Sequence, residues 1–253
     1  MLLKSDSILV SQPLLLDIKQ RRFITGIRFS AETTHFFFRK LLKSLAEWGD
    51  LPTTISRADK HLEIFSFAWA LVDNVRRFHR LLWKAPGIKN LPSSASFVKK
   101  WEGELRDIRN AMQHPDGDYM KTMKENYVYG SIYWVDSRRR LENKQIVTHM
   151  LSAGPQANRS TKEVVLPTLL IDSGDDIYQI VLTTAGASVQ LELIVADMVS
   201  ALLDIEKWVL ETYLKIKDEI PAFDAERRRK MEMRAQSDQN VRLEVDVSNV
   251  PID

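Results

Sequence analysis

The sequence predicts an α+β fold, a bundle of α-helices with an inserted antiparallel β-meander. Three observations lead there. Apolar residues recur at helical spacing through the first half of the chain. The period changes to two between about residues 127 and 184, and a further helical stretch follows at 188–217. Each helical stretch has an apolar face that must be covered, so the simplest assembly packs all four together, with the meander inserted before the fourth. A separate C-terminal β domain is the alternative, and it would leave the last helix to find another surface.

The first helix is read at 31–48, where Phe37, Leu41, Leu42 and Leu45 share a face and Gly49 signals a stop. The second spans 56–84. Its Leu62, Phe65, Trp69, Val72, Val75 and Leu82 form one row, and Ile64, Phe67, Leu71, Phe78 and Leu81 form another. So wide an apolar arc belongs between neighbouring helices. Ala85-Pro86-Gly87 ends it. The third starts at Leu91-Pro92-Ser93-Ser94 with a serine as N-cap and carries Phe97, Trp101, Leu105, Ile108 and Met112. Pro115 disfavours helical geometry at His114, so that helix should finish there.

Strands are predicted at 127–135, 145–152, 163–171 and 177–184, with a hairpin turn at 172–176. Trp69, Trp101 and Trp134 are expected in the core. Tyr133 and Trp134 point to opposite faces of their strand, which leaves one of them open to a partner or a base. Ser188 is read as the cap of the last helix. After Pro221 come a charged helical stub at 225–236 and an alternating stretch at 241–247. The organisation is thus 1–124, first part of the bundle; 125–186, inserted meander; 187–220, last bundle helix; and 221–253, charged helix and tail.

The chain has 253 residues, 44% hydrophobic and 28% charged, which is ordinary globular composition. Net charge is +2, so any case for an anionic partner must rest on local clusters. The absence of cysteine removes disulfides, thiolate metal sites and thiol nucleophiles together. The apolar run at 64–75 is broken by Asp73 and belongs to a core rather than a bilayer, and the first 16 residues make a poor signal peptide. A cytoplasmic protein with no membrane contact is the expectation.

Few residues carry chemistry. His61-Leu62-Glu63 has the H-x-E of zinc deaminases but lacks the cysteines that motif requires. No H-E-x-x-H, P-loop or G-x-G-x-x-G occurs, and the acidic run at 172–176 lacks calcium-loop spacing. No cofactor or metal is implied. Arg138-Arg139-Arg140 reads as a solvated turn, and Arg227-Arg228-Arg229-Lys230 as a surface helix diluted by acids. Arg76, Arg77, Arg80 and Lys84 make a basic helical face, either a phosphate track or a solvated surface with Asp73 pairing Arg77.

The remaining signal is Arg109-Asn110-Ala111-Met112-Gln113-His114, at the end of the third helix. It resembles the arginine, four to six residues, histidine signature of the HEPN superfamily, helical-bundle proteins of which many are metal-independent ribonucleases. Asn110 directly after the arginine, the preceding long helix, and the polar stretch Asp73-Asn74-Val75-Arg76-Arg77 on it strengthen the likeness. Arg28 and His35 also have the spacing, but Arg28 precedes the expected helix start. The resemblance implies an endoribonuclease acting on single-stranded RNA through attack of a 2′-hydroxyl on the adjacent phosphate, and a toxin or antiviral-defence setting.

On that reading His114 transfers protons, Arg109 holds the phosphate, Asn110 orients groups, and Asp73, Arg76, Arg77 and Arg80 serve the substrate. On an ideal helix Arg109 and His114 point about 140° apart, so a homodimer that pools two motifs is implied. An antitoxin or other defence protein is a further implied partner. The position two after the histidine is Asp116, not the tyrosine that some HEPN toxins carry for modification by a partner nucleotidyltransferase. Two other readings stay open: a non-catalytic HEPN-like scaffold whose meander binds a protein, and an unrelated α+β interaction module. A helix-end histidine and an arginine paired with Glu102 or Glu104 would fit those.

Overall fold

A computed structural model describes residues 2–4, 6–12, 18–51, 57–113, 130–140, 146–153, 176–184 and 187–216. Its elements are α1 (Ile8–Ser11), α2 (Ile18–Asp50), α3 (Ala58–Lys84), a 3₁₀ turn (Ile88–Asn90), α4 (Pro92–Gln113), β1 (Ser131–Arg140), β2 (Ile146–Ser152), β3 (Ile177–Thr184), β4 (Ala187–Gln190) and α5 (Leu191–Ile216). The four long helices pack together, and α5 touches α2, α3 and α4 as well as the sheet. The inserted-sheet arrangement is therefore the observed one. Among the described residues no helix is long and apolar enough to cross a membrane.

Both apolar rows of α3 are used except at Leu62, which is exposed. Ile64, Phe65, Ala68, Leu71, Val72, Val75, Phe78 and Leu82 are all buried, so α3 is the central helix. It runs antiparallel to α2, with Gly26 set against Leu81 near one end and Ser44 donating to Glu63 near the other. A Cβ on Gly26 would lie 3.0 Å from Leu81 Cδ1, so a side chain there would require Leu81 to move. On α4, Phe97 packs edge-on against Phe78, and Trp101 Nε1 donates to Asp197 of α5 at 2.8 Å.

Several boundaries differ from expectation. The first long helix begins at Ile18, not 31, because Phe23, Ile24 and Ile27 extend its apolar face behind a polar Lys-Gln-Arg-Arg opening. Arg28 is consequently inside the helix. On α4, Pro92 occupies the first helical position, where its missing N–H costs nothing, and the serines fall in the first turn rather than at the cap. Ser188 lies in β4, and α5 starts at Leu191 with no intervening loop. The sheet thus extends past residue 186 to Gln190.

The sheet is antiparallel with order β2-β1-β3-β4, so it is not the simple meander expected. β3 pairs with β1 rather than with β2, through Ser131↔Thr183 and Tyr133↔Val181. A bulge in β3 puts Gln179 at φ 52, and the Ile180 N–H beside it donates to Glu192 at the start of α5. Tyr133 and Trp134 are both buried, so neither faces a partner. Trp134 stacks on His149 with centroids 4.9 Å apart.

Arg138, Arg139 and Arg140 are part of β1 and not a turn. Arg138 pairs with the fully buried Asp136 at 2.8 Å and donates to the Ala46 carbonyl at 2.9 Å, which fastens the sheet to the C-terminal end of α2. His61 has a structural role too. Its Nε2 bonds the Ser152 carbonyl at 2.8 Å and ties α3 to β2. Outside the described residues lie His114 and Asp116, the strand expected at 163–171, positions 172–175 of the turn, and the readings at 225–236 and 241–247.

Candidate functional site

The basic face of α3 comes from residues three and four apart: 73, 76, 77, 80 and 84 lie along one side of the helix. Burial of Ile108 and Leu105 on α4 turns Arg109 toward that side. The result is a groove of about 400 Å³ lined by Asp73, Arg76, Arg77, Arg80, Leu81, Lys84 and Arg109. Five cations and one carboxylate therefore face one another across α3 and α4. Leu81 also packs against Gly26, so the groove borders α2.

Asp73 organises one part of the groove. Arg109 Nε donates to its Oδ1 at 3.3 Å, and Arg77 Nη2 lies 3.7 Å from its Oδ2. The i,i+4 pairing of Asp73 with Arg77 matches the sequence reading. The partner of Arg109 is Asp73, not Glu102 or Glu104. Glu102 instead takes both guanidinium nitrogens of Arg76, at 3.1 and 3.2 Å, a bidentate fork. Arg76 donates from the same Nη1 to His79 Nδ1 at 3.2 Å.

His79 was not singled out from sequence, and it is fully buried. Its Nε2 donates to the Val98 carbonyl at 3.0 Å, which leaves Nδ1 as the acceptor for Arg76 and makes the ring neutral. Burial pushes its pKa below the ordinary histidine value, with Arg76 adding to that and the Val98 bond and Glu102 opposing it. The Arg76 bond first, then its charge, holds Glu102 below the usual carboxylate range against the opposing effect of burial. A histidine three residues after an arginine inside an apolar run was the available sequence signal.

Arg76 is thus held in place, while Arg77 and Arg109 share one carboxylate. Arg80 and Lys84 have no carboxylate at ion-pair distance among the described residues. An entering phosphate would meet two free cations first and could then compete with Asp73 for Arg77 and Arg109. Asn110 is exposed and does not line the groove. α4 is helical through Gln113, and the stop expected at His114 before Pro115 lies outside the described residues. Among the described residues no group of three or more potential ligands could hold a metal ion. Arg28 and His35 lie a heptad apart on α2, away from this groove. No family model, curated protein or solved structure matches the chain.

Proposed function

We propose that this chain is a HEPN-like, metal-independent endoribonuclease acting on single-stranded RNA. One observation carries the reading. The motif arginine, Arg109, and the basic residues Arg76, Arg77 and Arg80, all singled out from sequence, line one groove although Arg109 and Asp73 are 36 residues apart in the chain. Arg80 and Lys84 draw in the backbone, and Arg109 holds the phosphate whose charge grows during attack by the neighbouring 2′-hydroxyl. His114, five residues beyond Arg109, takes the proton-transfer role, and Asn110 helps orient it. Proton transfer of this kind contributes roughly 10²–10⁴-fold.

The reaction needs no redox partner. The 2′-oxygen bonds to phosphorus, the 5′-oxygen leaves with a proton, and a cyclic phosphate remains. A homodimer that faces two copies of the motif would bring an arginine and a histidine to one phosphate. A toxin or antiviral-defence role, with a partner protein that restrains the enzyme, is part of the same proposal. The test is cleavage of a single-stranded RNA in the presence of a chelator, with cyclic phosphate at the new 3′ ends.

A second reading has its own support. Asp73 half-neutralises Arg77 and Arg109, and Glu102 neutralises Arg76, which is what a non-catalytic helical scaffold would do with its interhelical arginines. The two readings separate on cleavage. The scaffold leaves RNA intact whatever partner is added.

A further inference from the structure

We propose that the outward face of α2 is a second track for single-stranded nucleic acid, on which bases stack against Phe29 and Phe36. The two rings are 58% and 52% exposed, unusual for phenylalanine on a bundle helix. They are seven residues apart in a row that also contains Arg22 and Lys43, so all four fall along one stripe with about 10 Å of rise between neighbours. Phe36 is held by an edge-on contact with Phe37, which in turn packs on Phe67. The ring is therefore supported from the core side and open outward.

The surroundings of Phe36 are cationic apart from one carboxylate, Glu32. Phe36 shares a groove of about 520 Å³ with His35, Arg39, Lys40, Lys43, Glu32 and Leu2. Lys40 Nζ lies 5.6 Å from the Phe36 centroid. Glu47, farther along α2, is engaged by Lys60 at 2.7 Å and by Lys43 at 3.6 Å. Aromatic rings interleaved with lysine and arginine suit a strand whose bases stack while its phosphates meet the cations. Pairing of this stripe with a second copy would oppose lysine and arginine to one another, and that charge pattern disfavours a symmetric dimer through this face.

The stripe also connects to the first groove. Gly26 sits one helical turn before Phe29 and packs on Leu81, a lining residue of the Arg109 groove. A strand leaving that groove at Leu81 would pass Phe29 and then Phe36. The choice of RNA as the strand rests on the ribonuclease reading. The stacking track itself does not need cleavage.

The experiment is binding of an uncleavable, fluorescently labelled 2′-O-methyl oligouridylate of roughly 15 nucleotides, measured by anisotropy over a range of salt. Phe29→Ala and Phe36→Ala should each weaken binding about tenfold, the usual size for loss of one stacked base. A strand of the same length with no bases should bind the wild type and both variants equally. Lys40→Gln and Lys43→Gln should each lower the salt slope by about 0.7, and Lys207→Gln on α5 should leave it unchanged. Equal binding of the oligouridylate by wild type and both phenylalanine variants overturns the track, as does no binding by wild type. A change in sedimentation instead of affinity would make this face a protein contact and overturn it too. Phenylalanine-dependent binding of this probe, together with an unmodified oligouridylate that wild type leaves uncut in a parallel incubation with chelator, keeps the track and removes the ribonuclease reading alone.

Discussion

Asp73 on α3 accepts a hydrogen bond from Arg109 on α4 at 3.3 Å, and through its second oxygen it faces Arg77 at 3.7 Å. One partly exposed carboxylate thus restrains two of the five cations in the groove. It can act as a gate for phosphate and as an orienting group for Arg109, and the two roles respond differently to mutation.

Asp73→Asn should steepen the salt dependence of RNA binding by about 0.7 for each cation released. Cleavage by the same variant should slow, because Arg109 loses the group that aims it. Stability should change by about 1 kcal/mol or less, as expected for pairs this exposed. Anisotropy, a cleavage time course and a denaturant titration on one preparation check all three. Tighter binding with faster cleavage would assign Asp73 a purely inhibitory role.

Arg138→Ala should destabilise the fold by about 3 kcal/mol, because the fully buried Asp136 loses the guanidinium bonds and charge that offset its burial and keeps the backbone N–H of residue 138. Burial works to raise the Asp136 pKa, and the Arg138 bonds and charge outweigh it, so the carboxylate is charged in the native protein. The pair Asp136→Asn with Arg138→Met should cost less than the single Arg138→Ala. Chemical denaturation of the three variants measures the ordering, and equal losses would contradict it.

Gly130→Ala should be among the costliest single-methyl changes in the sheet. Gly130 has φ 87, and a Cβ there would lie 2.2 Å from the Thr183 carbonyl oxygen. The left-handed backbone alone costs roughly 1–2 kcal/mol for a residue with a side chain, and the clash adds to it. A melting temperature equal to wild type would show that β1 and β3 separate easily at this end.

Stability should fall as pH drops below about 6.5. Burial lowers the folded pKa of His79, so the unfolded chain takes up the proton first. The native state therefore binds fewer protons in that window, and stability is lost as pH falls from the unfolded value through the depressed folded one. His35 adds in the same direction, since burial and then nearby positive charge, including Arg39, lower its pKa. The lowered carboxylates Glu47, Glu63, Glu102 and Asp136 act later, with loss beginning near the unfolded carboxylate value of about 4. Melting curves of wild type and His79→Gln from about pH 7 to 5 test this. An unchanged slope in the variant would place the effect on His35.

The helices were legible because their apolar rows are long. Phe65, Val72 and Val75 mark the buried side of α3 at a period no strand could have. The start of α2 was missed because the cap-type residue Asp17 is followed by the polar run Lys19, Gln20, Arg21 and Arg22 before the apolar row resumes at Phe23. β4 was missed because its four residues include Ser188, which is as good a helix cap as a strand residue. The β1–β3 pairing left no local trace, since neighbour choice depends on residues 40 or more positions apart. In the groove, Arg76, Arg77 and Arg80 could be found from spacing on one helix. The Asp73–Arg109 contact could not, because it depends on how α3 and α4 pack.

The central claim is that the Arg109 groove and His114 together cut RNA, and the most direct measurement is the cleavage rate of a single-stranded RNA with chelator present. Wild type should leave cyclic phosphate ends. His114→Ala and Arg109→Ala should each slow the reaction on the order of 10²-fold or more while keeping the wild-type melting temperature. Asn110→Ala should cost less, since it transfers no proton and lies outside the groove. Identical traces from wild type and His114→Ala, also after a partner protein is added, would contradict the account and leave the helical scaffold in its place.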